Sequence, residues 1–161
     1  MPMIHNFVIE NISDISEVIH TSYSRDRHGK IHKGGLSPDN QAHLDDDFIS
    51  YIQDSLQWLE TGNPSTGERT SGLNYYGITV IEDKQVLQRL HHIMHAWIDL
   101  FSSAPDPIIL RGNYCIVGGE NKGYYEKLVY TKTDLITKLK KLAMMAKHAD
   151  EHGKCIVHFG I

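Results

Sequence analysis

Two pairs of histidines have the spacing that could hold a metal ion. His91 and His95 lie one turn apart in a predicted helix, the spacing by which zinc proteases bind their metal, and Asp99 continues the same row. The protease motif also needs a glutamate as general base directly after the first histidine, but His92 stands there. The helical pattern places these side chains on the polar face, so we expect them to face solvent and to bind no metal or other cofactor. A small metal-dependent enzyme using His91 and His95 is one alternative.

The second pair is His148 and His152, followed by Cys155 and His158. Cys155 and His158 fall in a predicted strand, where residues three apart point to opposite faces. The four side chains therefore cannot all join one tetrahedral site. Histidines near the end of a helix are also favoured by its dipole, which accounts for the first two without a metal.

Motifs for nucleophilic catalysis and for phosphate binding are absent from the sequence. It contains neither Gly-x-Ser-x-Gly nor the Gly-x4-Gly-Lys-Ser/Thr loop. Cys115 and Cys155 both lie in predicted strands, and we expect two reduced cysteines that pack as small apolar residues. These observations predict a protein that is not an enzyme.

A lysine-rich stretch suggests a second alternative, a nucleic-acid-binding domain. Residues 122–147 contain seven lysines and only two carboxylates, and the tyrosines among them could stack on bases. However, lysines also cover the exposed face of an ordinary amphipathic helix, here the third long helix. A net charge of −4 opposes a dedicated nucleic-acid binder, so we expect no direct contact with nucleic acid. The tyrosines are Tyr124, Tyr125 and Tyr130.

The acidic segment, residues 34–68, is the most unusual charge feature. It holds seven of the 20 acidic residues and none of the 16 basic ones, so it carries −7 while the remainder of the chain carries +3. Such asymmetry speeds the capture of a positively charged partner and repels nucleic acid. A solvated helix normally mixes both signs, but the helix predicted here lacks every i,i+4 ion pair. We therefore predict a protein-binding face on that helix, made of Asp39, Asp46, Asp47 and Asp54.

Periodicity and capping residues predict the elements that carry these side chains. A brief helix is predicted from Asp14 and three long helices from Pro38, Asp83 and Thr131. The predicted strands cover residues 4–10, 75–81, 108–117, 124–131 and 155–161. The residues expected in the core of the second and third long helices are Leu90, Ile93, Trp97, Phe101, Leu135, Leu139 and Leu142.

The order of these elements predicts one α+β (or α/β) domain spanning residues 1–161. Hairpin and crossover connections are both present, so we expect a mixed, mainly antiparallel sheet of about five strands packed with three long helices. Polar, glycine-rich stretches at about 22–36 and 61–73 are predicted to be mobile surface loops.

Targeting signals are also absent from the sequence. No apolar run approaches the ~20 residues that cross a bilayer. The first residues, Met-Pro-Met-Ile-His-Asn, lack the basic and apolar regions of a secretory signal. We expect a cytoplasmic protein that does not insert into a membrane.

Four stretches in the second half of the chain carry a resemblance to a known family. They are LNYYGITVI at 73–81, WIDLF at 97–101, PIILRG at 107–112 and CIVHFGI at 155–161. Together they resemble the cytoplasmic immunity proteins of bacterial contact-dependent growth inhibition and polymorphic toxin systems. The resemblance implies a non-enzymatic inhibitor that occludes the active site of the C-terminal toxin domain of a large exported effector. Such toxins are often nucleases with basic active sites, which agrees with the acidic segment.

Overall fold

The structure is a computed structural model that describes residues 3–11, 22–119 and 122–161. The described residues form three α-helices and ten strands. The helices are α1 (Asp46–Leu56), α2 (Lys84–Ser102) and α3 (Lys132–Glu151). The strands are β1 (Ile4–Asn11), β2 (Ser24–Arg25), β3 (Ile31–His32), β4 (Gln41–Asp45), β5 (Glu60–Gly62), β6 (Arg69–Ser71), β7 (Ile78–Ile81), β8 (Ile108–Ile116), β9 (Gly123–Tyr130) and β10 (Lys154–Phe159).

A six-stranded sheet in the order β4-β1-β10-β7-β5-β6 forms the centre of the fold, and all its strand pairs are antiparallel. The short pair β2–β3 and the longer hairpin β8–β9 are separate two-stranded sheets. The prediction of a single α+β domain with three long helices and a mainly antiparallel sheet is confirmed.

Strands β1 and β10, which pair with each other inside the sheet, have buried apolar residues on both faces because both faces of the sheet are covered. Alternate residues of β1 enter different cores, with Phe7 and Ile9 under the helices and Val8 under the β2–β3 pair. β10 follows the same rule, since Ile156 packs under the helices and Val157 on the other side. Burial on two faces explains why these strands show no simple alternation of apolar and polar residues.

Most of the predicted core residues are buried in the cluster between the helices and the sheet, but Trp97 is only partly buried. Its Nε1 donates a hydrogen bond of 3.0 Å to Ser55 Oγ, so the polar edge of the ring meets a polar partner. No disulfide joins the two cysteines; Cys155 is buried and Cys115 partly exposed.

The start of the first long helix differs from the prediction. Ser37 caps only a short 3₁₀ turn, Pro38–Asn40, through a hydrogen bond from Asp39 N to Ser37 Oγ. The next five residues alternate buried and half-buried positions and pair with β1, so they form β4 rather than a helix. The helix begins at Asp46, and Asp45 is its N-cap, accepting from Phe48 N at 3.0 Å.

The two stretches predicted as loops both contain strands. Residues 22–36 include the β2–β3 pair, and residues 61–73 include most of the β5–β6 hairpin, which extends the main sheet at one edge. The strand predicted at 75–81 begins only at Ile78, because a turn with a hydrogen bond from Gly77 N to Asn74 O precedes it. The brief helix predicted from Asp14 lies outside the described residues.

The remaining predicted elements agree closely with the structure. Asp83 caps α2 by accepting from Gln85 N and Val86 N. The predicted hairpin is β8–β9, and the last predicted strand is β10. In the part of the chain that the structure describes, no helix combines the length and the apolar character needed to cross a bilayer.

Candidate functional site

The four aspartates predicted to form one binding face lie in three different places. Asp47 and Asp54 are exposed and seven residues apart on α1, so they lie on the same side of the helix. Asp39 is also exposed, but it belongs to the 3₁₀ turn before β4. The five residues of β4 separate it from the start of α1, a span of roughly 16 Å at the rise of an extended strand. The prediction that Asp39 shares a helix face with the others is therefore wrong.

The prediction that Asp46 belongs to the exposed binding face is also wrong, because its side chain points into the molecule. It is the first residue of α1 and only 8% exposed, and its Oδ1 lies 3.1 Å from Nε2 of the buried His5. A carboxylate here also benefits from the positive end of the helix dipole. Asp46 consequently stabilises the fold and is not available on the surface for a partner.

The charges around Asp47 favour the approach of a positively charged group. Partial burial, followed by the negative charges of Glu126, Asp45 and Asp46, raises the pKa of its carboxyl. Like charges in proximity disfavour the ionised form, and a cation brought close to them would relieve this cost.

Aromatic side chains lie beside the exposed aspartates. Tyr51 is 39% exposed and stands on α1 between Asp47 and Asp54, and its ring meets Trp97 edge to face with a centroid distance of 6.0 Å. Trp58 follows in the turn after α1 and is 63% exposed. We call Asp47, Tyr51, Asp54 and Trp58 the acidic face. Exposed tyrosine and tryptophan are the residues most enriched at the energetic centres of protein interfaces.

Behind this face, a chain of buried polar side chains crosses three strands. His5 Nδ1 lies 2.8 Å from His158 Nε2, and His158 Nδ1 lies 3.4 Å from Thr79 Oγ1. The Asp46 carboxylate can only accept, so His5 carries its proton on Nε2 and accepts on Nδ1 from His158. His158 in turn accepts from the Thr79 hydroxyl. Every donor in the chain is then oriented toward Asp46.

Burial determines the charge state of the two histidines. Burial lowers the pKa of His5, although the hydrogen bond and the charge of Asp46 act against the shift. The pKa of His158 is far below its usual range, again because of burial, and repulsion from His5 when that ring is protonated and from Arg25 adds to the shift. Both rings are therefore neutral near pH 7, as the hydrogen-bond directions require.

The row Asp46, His5, His158 and Thr79 has the order of carboxylate, histidine and hydroxyl found in a catalytic triad. Its geometry, however, suits a structural role. Thr79, in the place of a nucleophile, is 1% exposed, and its Oγ1 already accepts from Asn74 N at 2.7 Å. A substrate atom therefore cannot approach it in this conformation. Sequence reasoning missed this row of polar side chains, and its one signal was a histidine beside the apolar residues of each of two strands, at positions 5 and 158.

The histidine row on α2 is only partly exposed, contrary to the prediction. His91 is half-buried, and its Nδ1 donates 2.9 Å to Ala143 O of α3, whereas His92 and His95 face solvent. The rings of His91 and His95 meet edge to face at 4.5 Å between centroids. Within residues 3–11, 22–119 and 122–161, no three His, Cys, Asp or Glu side chains lie close enough together to hold a metal ion.

The second histidine pair and its neighbours also separate. His148 and His152 stack with 4.1 Å between ring centroids. Cys155 lies on the other side of the sheet, where its Sγ donates to Glu10 O at 3.3 Å and burial raises its pKa to about 12. A thiol with this pKa stays protonated at neutral pH and is neither a ready nucleophile nor a metal ligand.

The lysines of the third long helix have varied roles rather than forming one surface. Lys132 Nζ donates to Ser102 O and Ala104 O and so caps the end of α2. Lys138 and Lys141 line a cleft of about 270 Å³ beside β4, together with Lys30. Of the tyrosines, Tyr124 and Tyr125 are exposed on β9, whereas Tyr130 donates to Asp45 Oδ1 at 2.7 Å.

Comparisons with known proteins give no relative for this chain. No family model matches it, and neither a curated protein nor a solved structure matches it at a significant level. The functional inference therefore depends on the residues and geometry of the acidic face.

Proposed function

We propose that this protein is a cytoplasmic immunity protein of a bacterial toxin system. In this proposal the acidic face binds a basic toxin domain, for example a nuclease of a contact-dependent growth inhibition system, and covers its active site. The protein itself carries out no reaction. The observation that carries the proposal is the exposed side of α1, where Asp47 and Asp54 flank Tyr51 within a segment that has no lysine or arginine.

Two properties of this face support recognition of a protein. A carboxylate-rich surface attracts a cationic active site over a distance and accelerates the encounter. The two exposed aromatic rings, Tyr51 and Trp58, can then provide the contact area that slows dissociation. Charge and aromatic side chains therefore supply the two components that a tight inhibitor needs.

The clefts of the molecule support a surface-binding role over catalysis on a small molecule. The cleft beside β4 has about 270 Å³, and the cleft beside the β5–β6 hairpin about 220 Å³. Small-molecule sites usually occupy roughly 300–1,000 Å³ and bring a few polar groups together. Neither cleft is lined by His5, His158 or Asp46, and Thr79, the last member of that row of polar side chains, lines only a smaller cleft of about 180 Å³.

On this proposal a gene next to the one for this protein encodes the toxin, and its toxin domain is the partner used in the test. Association is measured by stopped-flow fluorescence at several ionic strengths, for the native protein and for Asp47→Asn with Asp54→Asn. The double variant should associate on the order of tenfold more slowly at low salt, with a weaker salt dependence and nearly unchanged dissociation. Asp46 is left intact because it is buried.

The matched control changes two other carboxylates of the acidic segment. Glu60→Gln with Glu68→Gln removes the same charge from exposed positions outside α1 and should associate at close to the native rate. Equal rates for the native protein and the α1 variant at every ionic strength would rule out the acidic face as the binding site. The immunity function itself would be refuted by an adjacent gene that encodes no toxin.

A further inference from the structure

The β8–β9 hairpin presents an apolar face that the rest of the described chain does not cover. Its base is anchored, since Ile108 belongs to the core cluster under the helices, and Leu128 is also buried. The opposite side, here called the outer face, carries large apolar side chains on both strands. They are Ile109, Tyr114, Ile116, Tyr125 and Val129, each more than half exposed.

Two positive charges stand in the middle of this outer face. Arg111 and Lys127 are directly opposite each other on the two strands, between the Ile109–Val129 and Tyr114–Tyr125 pairs. Like charges at such positions destabilise a hairpin. The Arg111 guanidinium lies 4.7 Å from the centre of the Tyr125 ring, a contact that does not neutralise it. Glu126 is the one carboxylate among the described hairpin residues. It lies on the inner face, the side of the hairpin opposite the outer face, so it does not neutralise the two cations.

A two-stranded sheet with one exposed apolar face is marginally stable without a further layer. Scattered apolar residues on a surface are ordinary, whereas a contiguous patch marks a site of interaction. The aliphatic side chains at 109, 116 and 129 favour a protein over a nucleic acid, which would bind through cations and flat rings. The central pair of cations favours an acidic protein surface.

The chain itself carries a surface of this kind, directly beside the hairpin. Tyr130 at the end of β9 donates to Asp45, the N-cap of α1, and its ring lies 5.8 Å from that of Phe48. The start of α1 therefore lies beside the inner side of the hairpin, so one molecule carries both an acidic face and, on the opposite side of the hairpin, a basic outer face. A two-fold axis between two copies can place each acidic face against the other copy's hairpin, so that both contacts form at once and the assembly closes.

We propose that the outer face of the β8–β9 hairpin docks on the acidic face of a second copy of this chain, forming a reciprocal two-fold dimer. Arg111 and Lys127 of one copy meet Asp47 and Asp54 of the other, and the aromatic and aliphatic side chains of both faces become buried. The dimer does not require the toxin. It covers the same acidic face, however, so toxin binding and self-association should compete.

The test exchanges charges on the full-length chain and measures mass by analytical ultracentrifugation at about 0.15 M salt, where surface charges are only partly screened. The native protein should sediment with twice the mass of the 18.3 kDa chain at about 100 µM, well above the dissociation constant of a micromolar dimer. The Asp47→Lys, Asp54→Lys double variant should be monomeric, because its dimer would bring two basic faces together. The Arg111→Glu, Lys127→Glu double variant should be monomeric, because its dimer would bring two acidic faces together.

Mixing the two variants provides the decisive result. Each contact then joins one acidic and one basic face, so the mixture should form a heterodimer, and a single chain with all four substitutions should form a homodimer again. The matched controls are Glu60→Lys with Glu68→Lys and Arg69→Glu with Lys140→Glu, which change the net charge equally at exposed positions elsewhere and should remain dimeric. Circular dichroism of each variant verifies that it is folded.

A monomeric native protein at this concentration would overturn the proposal, as would variants that stay dimeric or a mixture that stays monomeric. The result is separable from the proposed function. The Arg111→Glu, Lys127→Glu variant keeps the acidic face and should still bind the toxin domain. A monomeric native protein would not contradict the immunity proposal. Failure to bind toxin would likewise not contradict the dimer proposal.

Discussion

Three consecutive aspartates at the start of α1 have three different roles. Asp45 accepts from Phe48 N and caps the helix, Asp46 points inward to His5, and Asp47 faces solvent. Successive residues at a helix start point in different directions, about 100° apart in the helix itself. Only one direction leads into the space beside His5, so only Asp46 is buried. The net charge of the segment therefore overstates what a partner can contact.

The first prediction compares a buried with an exposed aspartate on this helix. Asp46→Ala leaves the buried Nε2–H of His5 without its acceptor and should lower the free energy of unfolding by about 1–3 kcal/mol. Asp54→Ala removes an exposed charge and should change it by less than about 0.5 kcal/mol. Urea denaturation of the two variants and the native protein gives both values. Equal losses in the two variants would contradict the structural role of Asp46.

At the scale of elements, the turn before β7 and the segment after β10 hold each other in place. Gly160 N donates to Gly77 O at 2.8 Å, and Ile161 N donates to Tyr75 O at 3.0 Å. The backbones approach so closely that a Cβ on Gly160 would lie 2.1 Å from Tyr75 O. Glycine is therefore required here by space.

The second prediction follows from this close approach. Gly160→Ala forces two backbone segments apart and should lower the free energy of unfolding by about 1–3 kcal/mol or more, the range for overpacked sites. Gly118→Ala is the control, since nothing lies within 4 Å of a Cβ placed there. Thermal unfolding monitored by circular dichroism should show a lower midpoint for the Gly160 variant alone. If both variants unfold at the native temperature, the segments are not packed as described.

At the scale of the whole molecule, burial of the sheet on both faces makes stability depend on pH. Burial lowers the pKa of His5 and of His158 and, together with nearby positive charges, lowers that of His43 to about 4. In the unfolded chain these histidines take up protons near pH 6.5. Below that pH the unfolded state binds more protons than the folded state, so stability is complete above about pH 6.5 and is lost as the pH falls toward the folded pKa values.

The third prediction gives the change in the free energy of unfolding per pH unit. Between pH 6.5 and 5.5, each fully buried histidine should lower the free energy of unfolding by up to about 1.4 kcal/mol per pH unit. His158→Gln removes one titrating group, so its urea-unfolding free energy should fall less steeply with pH than that of the native protein. His92→Gln, at an exposed position, should keep the native slope. Identical slopes in all three proteins would mean that His158 is not buried in its neutral form.

Local patterns in the sequence were enough to predict α2, α3 and the β8–β9 hairpin. The helix caps, the 3.6-residue apolar period and the turn glycines of these elements act between residues only a few positions apart. The acidic segment was also evident, because charge can be counted without knowing the fold. The same local logic misplaced the first long helix, where Ser37-Pro38 has a real capping signal but opens only a 3₁₀ turn.

The tertiary structure alone decided which of these residues face solvent. His5 and His158 are 153 positions apart and meet only because β1 and β10 pair, and that meeting creates the buried position that Asp46 occupies. Pairing with β1 likewise makes residues 41–45 a strand, which separates Asp39 from α1. Strand pairing and burial depend on partners far along the chain, so the composition of the acidic segment was predictable from sequence and the shape of the acidic face was not.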